Sequence, residues 1–260
     1  MALVDDTLFG TVDKVDIAIR RIQEFEPAEG YYVAFSGGKD SQVILDLVER
    51  AGVKHDAHMN ITTVDPPELM RFVREHYADR VVLERPDTSM YKLIVQKHFP
   101  PTVRVRYCCS ELKERGGRNR TIVTGVRWAE SSRRSRRRLV ESCFRDSTKV
   151  YVNPIIDWSD DDVWEYIRER ELAYCSLYDE GRLRIGCVMC PMSRAHMAEE
   201  AERWPKIAAM YRRACRASYD SYFATRENVR WKSGDDMYEW WLNNQPADDK
   251  TDHLFPMTDN

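Results

Sequence analysis

The chain alternates short apolar runs with longer stretches whose apolar residues return every three or four positions. Val12, Val15, Ile19, Ile22 and Phe25 share one helical face, so 11–25 is predicted as a leading amphipathic helix, ended by Pro27 and Gly30. The run YYVAF at 31–35 is then a first strand and 40–50 a first crossover helix. Further strands are predicted at 54–59, 81–83, 121–124 and around Val150 and Val152. Helices are predicted at 67–77, where Pro67 and Glu68 suit a first turn, and at 89–98. Ser159 before Asp160-Asp161-Asp162 reads as a capping box that opens the helix VWEYIRER. Late helices are expected at 195–219 and 237–242, with a frayed end from Gln245. Short strands alternating with helices predict an α/β fold, a mostly parallel sheet flanked by helices with a helical C-terminal part. Such sheets take ligands outside the carboxyl ends of their strands.

The first strand runs into Ser36-Gly37-Gly38-Lys39-Asp40-Ser41 and then a helix. A glycine-rich turn at a helix N-terminus is an anion site: backbone N–H groups converge, the helix dipole favours negative charge, and glycine lets a phosphate approach. Lys39 adds a mobile positive charge; Ser36 and Ser41 add hydroxyls. The spacing excludes a Walker A loop, which needs four residues between its first glycine and the GK pair, and it is not GxGxxG.

Composition sharpens this picture in two places. The 260 residues carry a net charge of −3, yet 104–145 holds 13 Lys/Arg against 4 Asp/Glu, while 235–260 holds 7 acidic residues against one Lys. The middle of the chain is thus suited to phosphate or nucleic acid, and the tail to solvent. Charged residues make up 32% and no long apolar run occurs, which argues against a membrane partner. The N-terminus shows no secretory pattern, so a cytoplasmic protein is expected. In that compartment the seven cysteines point to metal, cluster or thiol chemistry rather than a disulfide scaffold.

Cys108 and Cys109 are adjacent, and Cys187 and Cys190 form a CxxC after Gly186. A CxxC can bind zinc, hold a redox dithiol or be inert. Without a second CxxC a four-cysteine zinc site is less natural, whereas a cubane iron–sulfur cluster is less strict about the spacing of its two halves. Cys143, past the arginine run, is a further ligand candidate. Cys175 and Cys215 read as small core side chains.

Together these motifs carry a resemblance. SGGKDS resembles the pyrophosphate loop of the adenine-nucleotide alpha-hydrolase (PP-loop ATP pyrophosphatase) superfamily, whose fold is Rossmann-like. The tandem Cys108-Cys109 with Lys113, the segment GVRWAESSRR, the run NPIIDWSDDDVWEYI and Gly186-Cys187-Cys190 resemble the phosphoadenosine phosphosulfate reductase family over roughly 31–192. The resemblance implies a nucleotide-binding domain at 1–192 and a helical extension at 193–260, with oligomerisation left open. It implies a [4Fe–4S] cluster on Cys108, Cys109, Cys187 and Cys190, with Cys143 as an alternative to one of the tandem pair. Two departures from the reductases stand out. No Glu-Cys-Gly motif follows Leu242, and the loop is the full pyrophosphate-binding form. Both favour the phosphorothioation-type pyrophosphatases and tRNA-thiolation enzymes over a literal reductase.

By this resemblance ATP and Mg²⁺ are the expected ligands. Ser36, Gly37, Gly38, Lys39, Asp40 and Ser41 hold the phosphates; Ala57, His58, Met59 and Asn60 flank the adenine; Gly125 lets the nucleotide approach; Asp65 is a magnesium or ribose candidate. Lys39, Asp40, Arg127 and Glu130 are the expected catalytic set, with Arg127 offering a planar fork to phosphate and Glu130 serving magnesium or the acceptor. Arg133, Arg134, Arg136, Arg137 and Arg138 admit three readings: a solvated surface, ATP phosphate contacts with Arg133 foremost, or docking of a nucleic-acid backbone. Trp128 is either core or a base-stacking ring. The expected reaction is attack on the α-phosphorus of ATP, with sulfur then arriving from a cysteine desulfurase or persulfide carrier. Reduction of adenylyl sulfate is the alternative within the family, and nucleotide sensing or DNA binding without turnover the alternative outside it.

Overall fold

The computed structural model describes residues 3–7, 10–144 and 146–243; the frayed end expected from Gln245 lies outside them. The described chain opens with a hairpin that its sequence pattern did not signal, β1 (Val4–Thr7) antiparallel to β2 (Gly10–Asp13). The leading helix therefore starts later than residue 11, as α1 (Lys14–Glu24). Asp13 caps it, its carboxylate accepting from the N–H groups of Val15 and Asp16 at 2.8 and 3.1 Å. Val15, Ala18 and Ile22 point inward at helical spacing.

The elements that follow are β3 (Tyr31–Ala34), α2 (Lys39–Ala51), β4 (His55–Asn60), α3 (Pro67–His76), β5 (Val81–Glu84), α4 (Met90–Lys97), β6 (Thr121–Val123), β7 (Val140–Ser142), β8 (Val150–Val152), α5 (Asp160–Glu169), α6 (Met197–Arg203), α7 (Pro205–Ser218) and α8 (Gly234–Leu242). Six strands form one sheet in the order β5-β4-β3-β6-β8-β7. Every neighbouring pair is parallel except β7 with β8. The mostly parallel α/β fold is thus as expected. β7 is an addition, a short edge strand inside the stretch read as an arginine-rich loop.

The strand order places the site. The chain moves from β3 outward to β4 and β5, then returns to the other side of β3 with β6. The order reverses between β3 and β6, and a crevice outside the carboxyl ends of strands at such a reversal is where doubly wound sheets take ligands. α2 leaves β3 at that point and is the most buried helix, with Val43, Ile44, Leu45, Leu47 and Val48 all fully covered. α2 packs on both α1 and α5. Asp46 of α2 accepts from the Tyr166 hydroxyl of α5 and from the guanidinium of Arg170, the residue that ends that helix, and Lys14 pairs with Asp162 at 3.0 Å. Ser159 closes the expected capping box with Asp162.

The chain forms two compact units, 1–87 with 109–186, and 88–108 with 187–260. This division differs from the boundary expected at 192/193. The segment 88–108 belongs to the second unit because its helix α4 packs on α7. The single helix expected at 195–219 is broken. Proline at 205 has no N–H to donate, so α6 ends before it and α7 begins with it. α8 starts three residues earlier than expected, capped by Ser233. Gly234 permits its close approach to α7: a Cβ there would lie 2.3 Å from the Arg216 Cα. Among the described residues no helix is long and apolar enough to cross a membrane.

Candidate functional site

The first unit brings two loops together at the switch point, 35–38 after β3 and 124–127 after β6. Gly37 has φ +73°, and a Cβ on it would press within 2.8 Å of Leu69 and Val73. Gly38 caps α2 with no side-chain hydrogen bond, leaving the first-turn N–H groups to other partners. Ser36 and Ser41 brace the loop: the Ser36 N–H donates to Ser41 Oγ at 3.1 Å, and the Ser41 hydroxyl donates to the Gly38 carbonyl at 2.8 Å. Gln42 donates to the Gly37 carbonyl at 2.9 Å. The loop is therefore braced by its own side chains.

Lys39 is nearly buried, its side chain 5% exposed. Its ammonium pairs with Asp160 at 3.1 Å, donates to the Leu183 carbonyl at 3.1 Å, and lies 6.0 and 5.6 Å from the ring centres of Trp164 and Tyr178. Arg127 is buried more deeply, at 2%. Its Nε donates to Asp40 at 2.7 Å, one terminal nitrogen to Asp160 at 2.9 Å and the other to the Trp158 carbonyl at 3.3 Å. Asp40 and Asp160 thus hold the two expected phosphate-binding cations from opposite sides. Burial works against ionisation of Asp160, but hydrogen bonds and charge from Lys39, then Arg127, hold its carboxyl below the ordinary range. A depressed folded value gives stability that is fully present above the unfolded value of about 4 and is lost as pH falls through the folded one. The urea midpoint should therefore drop between about pH 5 and about pH 3, and Asp160→Asn should flatten that slope.

Several expectations change once the side chains are placed. The Arg127 fork is engaged by protein acceptors and tethers the β6 loop to α2 and α5. Glycine at 125 is required by the protein itself: a Cβ on it would stand 2.8 Å from the Asp40 carbonyl oxygen, so its absence lets the β6 loop lie against the start of α2. Glu130 caps the Arg127 N–H at 3.1 Å and pairs with Arg134. The arginine turned toward the site is Arg134 rather than the exposed Arg133. Burial, then the neighbouring Arg184, brings its pKa down to about 10, while Asp40 opposes the shift. The one-position difference follows from the short 3₁₀ turn at Arg134–Arg136, which sequence periodicity does not reveal. Arg137 pairs with Glu141, whereas Arg133, Arg136 and Arg138 are exposed. Trp128 is 44% exposed and donates to the Arg137 carbonyl at 2.8 Å, so it is not a core residue.

On β4, Ala57 and Met59 are buried. His58 stacks on Tyr32 with ring centres 4.5 Å apart, and its two ring nitrogens meet Asp56 and Glu84. Burial raises the Asp56 carboxyl, but hydrogen bonds from Arg120 and His58 outweigh it and hold the group below its ordinary value. His58 thus belongs to a sheet-face ion cluster. Asn60 donates to the Tyr32 hydroxyl at 3.4 Å, and its carbonyl oxygen is buried without a partner. Both Asp65 oxygens close a turn on Thr62, at 2.7 and 2.8 Å.

The cysteines divide between the units. Cys109 opens a π turn, Cys109–Lys113, in the first, where Cys143 also lies, beside Tyr151. In the second unit, burial first and then the thiols of Cys187, Cys108 and Cys190 push the Tyr211 hydroxyl well above its ordinary value, which brings those three thiols within electrostatic reach of one ring. The CxxC turn is held from inside: Met189 has φ +56°, and its N–H donates to buried Glu200 at 2.6 Å. Cys175 and Cys215 are buried, and burial pushes the Cys215 thiol to about 12, as suits core residues. Among the described residues no group of three or more His, Cys, Asp or Glu converges closely enough to hold a metal ion. Of the cysteines expected to hold a cluster, Cys109 lies in the first unit and Cys108, Cys187 and Cys190 in the second. The carboxylates expected for magnesium, Asp40 and Glu130, are both engaged by arginines.

The fold and the loop at its switch point define a doubly wound α/β protein with a glycine-rich strand–loop–helix at its crevice. The sequence profile of the phosphoadenosine phosphosulfate reductase domain matches residues 30–193, and the chain belongs to that family. It is 28% identical to an adenosine 5′-phosphosulfate reductase of Staphylococcus haemolyticus over 172 residues, 60% of this chain and 68% of that one. It is 29% identical to the uncharacterized protein MJ0066 of Methanocaldococcus jannaschii over 189 residues, 67% of this chain but only 39% of that protein. The phosphate complex of the Candida auris phosphoadenylyl-sulfate reductase superposes with a TM-score of 0.49 at 20% identity, covering 68% of this chain and 88% of that one.

Proposed function

We propose that the first unit takes ATP with its phosphates on the Ser36–Ser41 loop and cleaves it between the α and β phosphates, adenylating an acceptor that then receives sulfur. The observation that carries this reading is the braced loop at the switch point, with Lys39 inside it and Arg134 beside it. An acceptor oxygen attacks the α-phosphorus, the bond to the bridging oxygen breaks, and pyrophosphate leaves with the bonding pair. Loop N–H groups and Lys39 stabilise the charge on the leaving group. Asp40, Asp160 and Arg127 position Lys39 and the loop, and Glu130 positions Arg134. The outer sulfur of a persulfide on a desulfurase or carrier displaces AMP, and a second thiol then attacks the carrier's own sulfur, leaving the thiolated acceptor and a disulfide. For a nucleic-acid acceptor, exposed Arg133, Arg136 and Arg138 supply backbone contacts. Magnesium arrives with the nucleotide, and a [4Fe–4S] cluster enters no step of this reading.

Reduction of an adenylyl sulfate is the second reading, favoured by the name of the staphylococcal relative. There the same loop holds the nucleotide's phosphate, and a thiol pair gives two electrons to the sulfate sulfur, becoming a disulfide as sulfite and AMP leave. One assay separates the two readings. Full-length protein, supplied with ATP, Mg²⁺ and candidate acceptors, is expected to release pyrophosphate. Sulfite release from adenylyl sulfate and a dithiol, with no pyrophosphate from ATP, overturns the first reading in favour of the second.

A further inference from the structure

The loop proposed to hold phosphate is not open: a segment of the same unit sits on it. The Lys39 N–H, at the first position of α2, donates to the Tyr178 hydroxyl at 2.9 Å. That is where an anion's oxygen would accept at a helix N-terminus. A Cβ on Gly38 would lie 3.4 Å from the same hydroxyl, so the tyrosine tip rests against Gly38. Five residues on, the Leu183 carbonyl accepts from the Lys39 ammonium. One short stretch thus supplies a neutral oxygen to each of the two Lys39 donors that a phosphate would use.

The stretch is buried at its start and exposed beyond its first turn. Cys175 and Leu177 are buried at 1% and 0%, fixing the 3₁₀ turn at Ser176–Tyr178. Beyond Tyr178, residues 179–181, 183 and 184 are exposed, with Leu183 84% exposed despite being apolar. Gly181 has φ +86° and open space around it, the backbone freedom a hinge needs. The Tyr178 ring packs edge-on against Trp164 at 5.1 Å and lies 5.6 Å from the Lys39 ammonium, contacts that can be exchanged without breaking a covalent bond.

We propose that residues 178–184 are a displaceable strap, in which Tyr178 and the Leu183 carbonyl stand in for the ligand's phosphate oxygens in the free protein and are expelled when a polyphosphate binds. The inference rests on the reading that the loop binds phosphate, and adds that binding must first open the loop. The exchange is favourable because a charged phosphate oxygen accepts more strongly than a tyrosine hydroxyl or a peptide carbonyl. Affinity is reduced by the fraction of molecules with the strap open, so removing its hydroxyl tightens binding without any new ligand contact.

Tyr178→Phe keeps the ring against Trp164 and deletes only the bond to Lys39. Inorganic pyrophosphate is the probe, measured by calorimetry on the full chain, with amide hydrogen exchange read on 36–42 and 178–184. The variant is expected to bind pyrophosphate about fivefold more tightly, the factor expected for removing one competing neutral hydrogen bond. In the wild type, pyrophosphate should slow exchange at 36–42 and speed it at 178–184. Equal or weaker binding by the variant, or slowed exchange at 178–184, overturns the strap while leaving phosphate binding at the loop intact. Failure of both proteins to bind pyrophosphate overturns the strap together with the reading beneath it.

Discussion

Replacing Lys39 by methionine should lower kcat/KM for pyrophosphate release from ATP by about two to three orders of magnitude, the usual cost of removing one preorganised charge at a developing anion. Folding should be nearly unaffected. The methionine stem can occupy the slot between Trp164 and Tyr178, and Asp160 keeps its second cation, Arg127, at 2.9 Å. The loss should fall mainly on kcat, because the charge on the leaving pyrophosphate grows toward the transition state. A rise in KM with kcat unchanged would instead mean that Lys39 only binds the ground state. Lys39→Arg should rescue little, since the Lys39 ammonium is aimed as a compact point charge from beside Asp160 and the Trp164 ring, and a planar guanidinium does not reproduce it. Wild-type turnover in the methionine variant would remove the loop from the chemistry.

The parts of this protein legible in its sequence are those written in local periodicity and capping. β3 and α2 are marked by an apolar run, a glycine pair and an amphipathic repeat, and Ser159 with Asp162 announces α5. The parts that were not legible depend on partners distant in the chain. Arg127 looks like a phosphate ligand in sequence because nothing nearby says that Asp40, 87 residues away, will take its Nε. The packing role of Gly125 is hidden for the same reason, since only the fold brings the Asp40 backbone against it. Tyr178 gave no signal at all, for a tyrosine between a cysteine-capped turn and an acidic pair has no motif; only the fold brings its hydroxyl to the α2 N-terminus. Arg134 was blurred among five arginines, which charge counting cannot tell apart. The β1–β2 hairpin was hidden because Val12 and Val15 also fit the helical face that begins in earnest at Lys14.

Arg127→Ala should cost roughly 2–4 kcal/mol of stability, the penalty for breaking a buried ion network, reduced because Asp40 and Asp160 keep partial access to water. For a chain of this size that is a fall in Tm on the order of 10 °C. Three acceptors lose their donor at once: Asp40, Asp160 and the Trp158 carbonyl. Asp160 retains Lys39, but Asp40 is left with Lys39 only at 4.0 Å. Arg127→Lys should recover less than half of the loss, because a single ammonium cannot bridge two carboxylates and a carbonyl held in fixed directions. The partner test is a double-mutant cycle with Asp40→Asn. If Arg127 is the tether that its 2% exposure indicates, the two substitutions are strongly coupled in urea unfolding, and pyrophosphate affinity falls in proportion to the loss of order in 36–42. If Arg127→Ala kept wild-type stability and lost only phosphate affinity, its guanidinium would have to leave Asp40 and Asp160 for the ligand, and the two carboxylates would then be free to hold the nucleotide's metal.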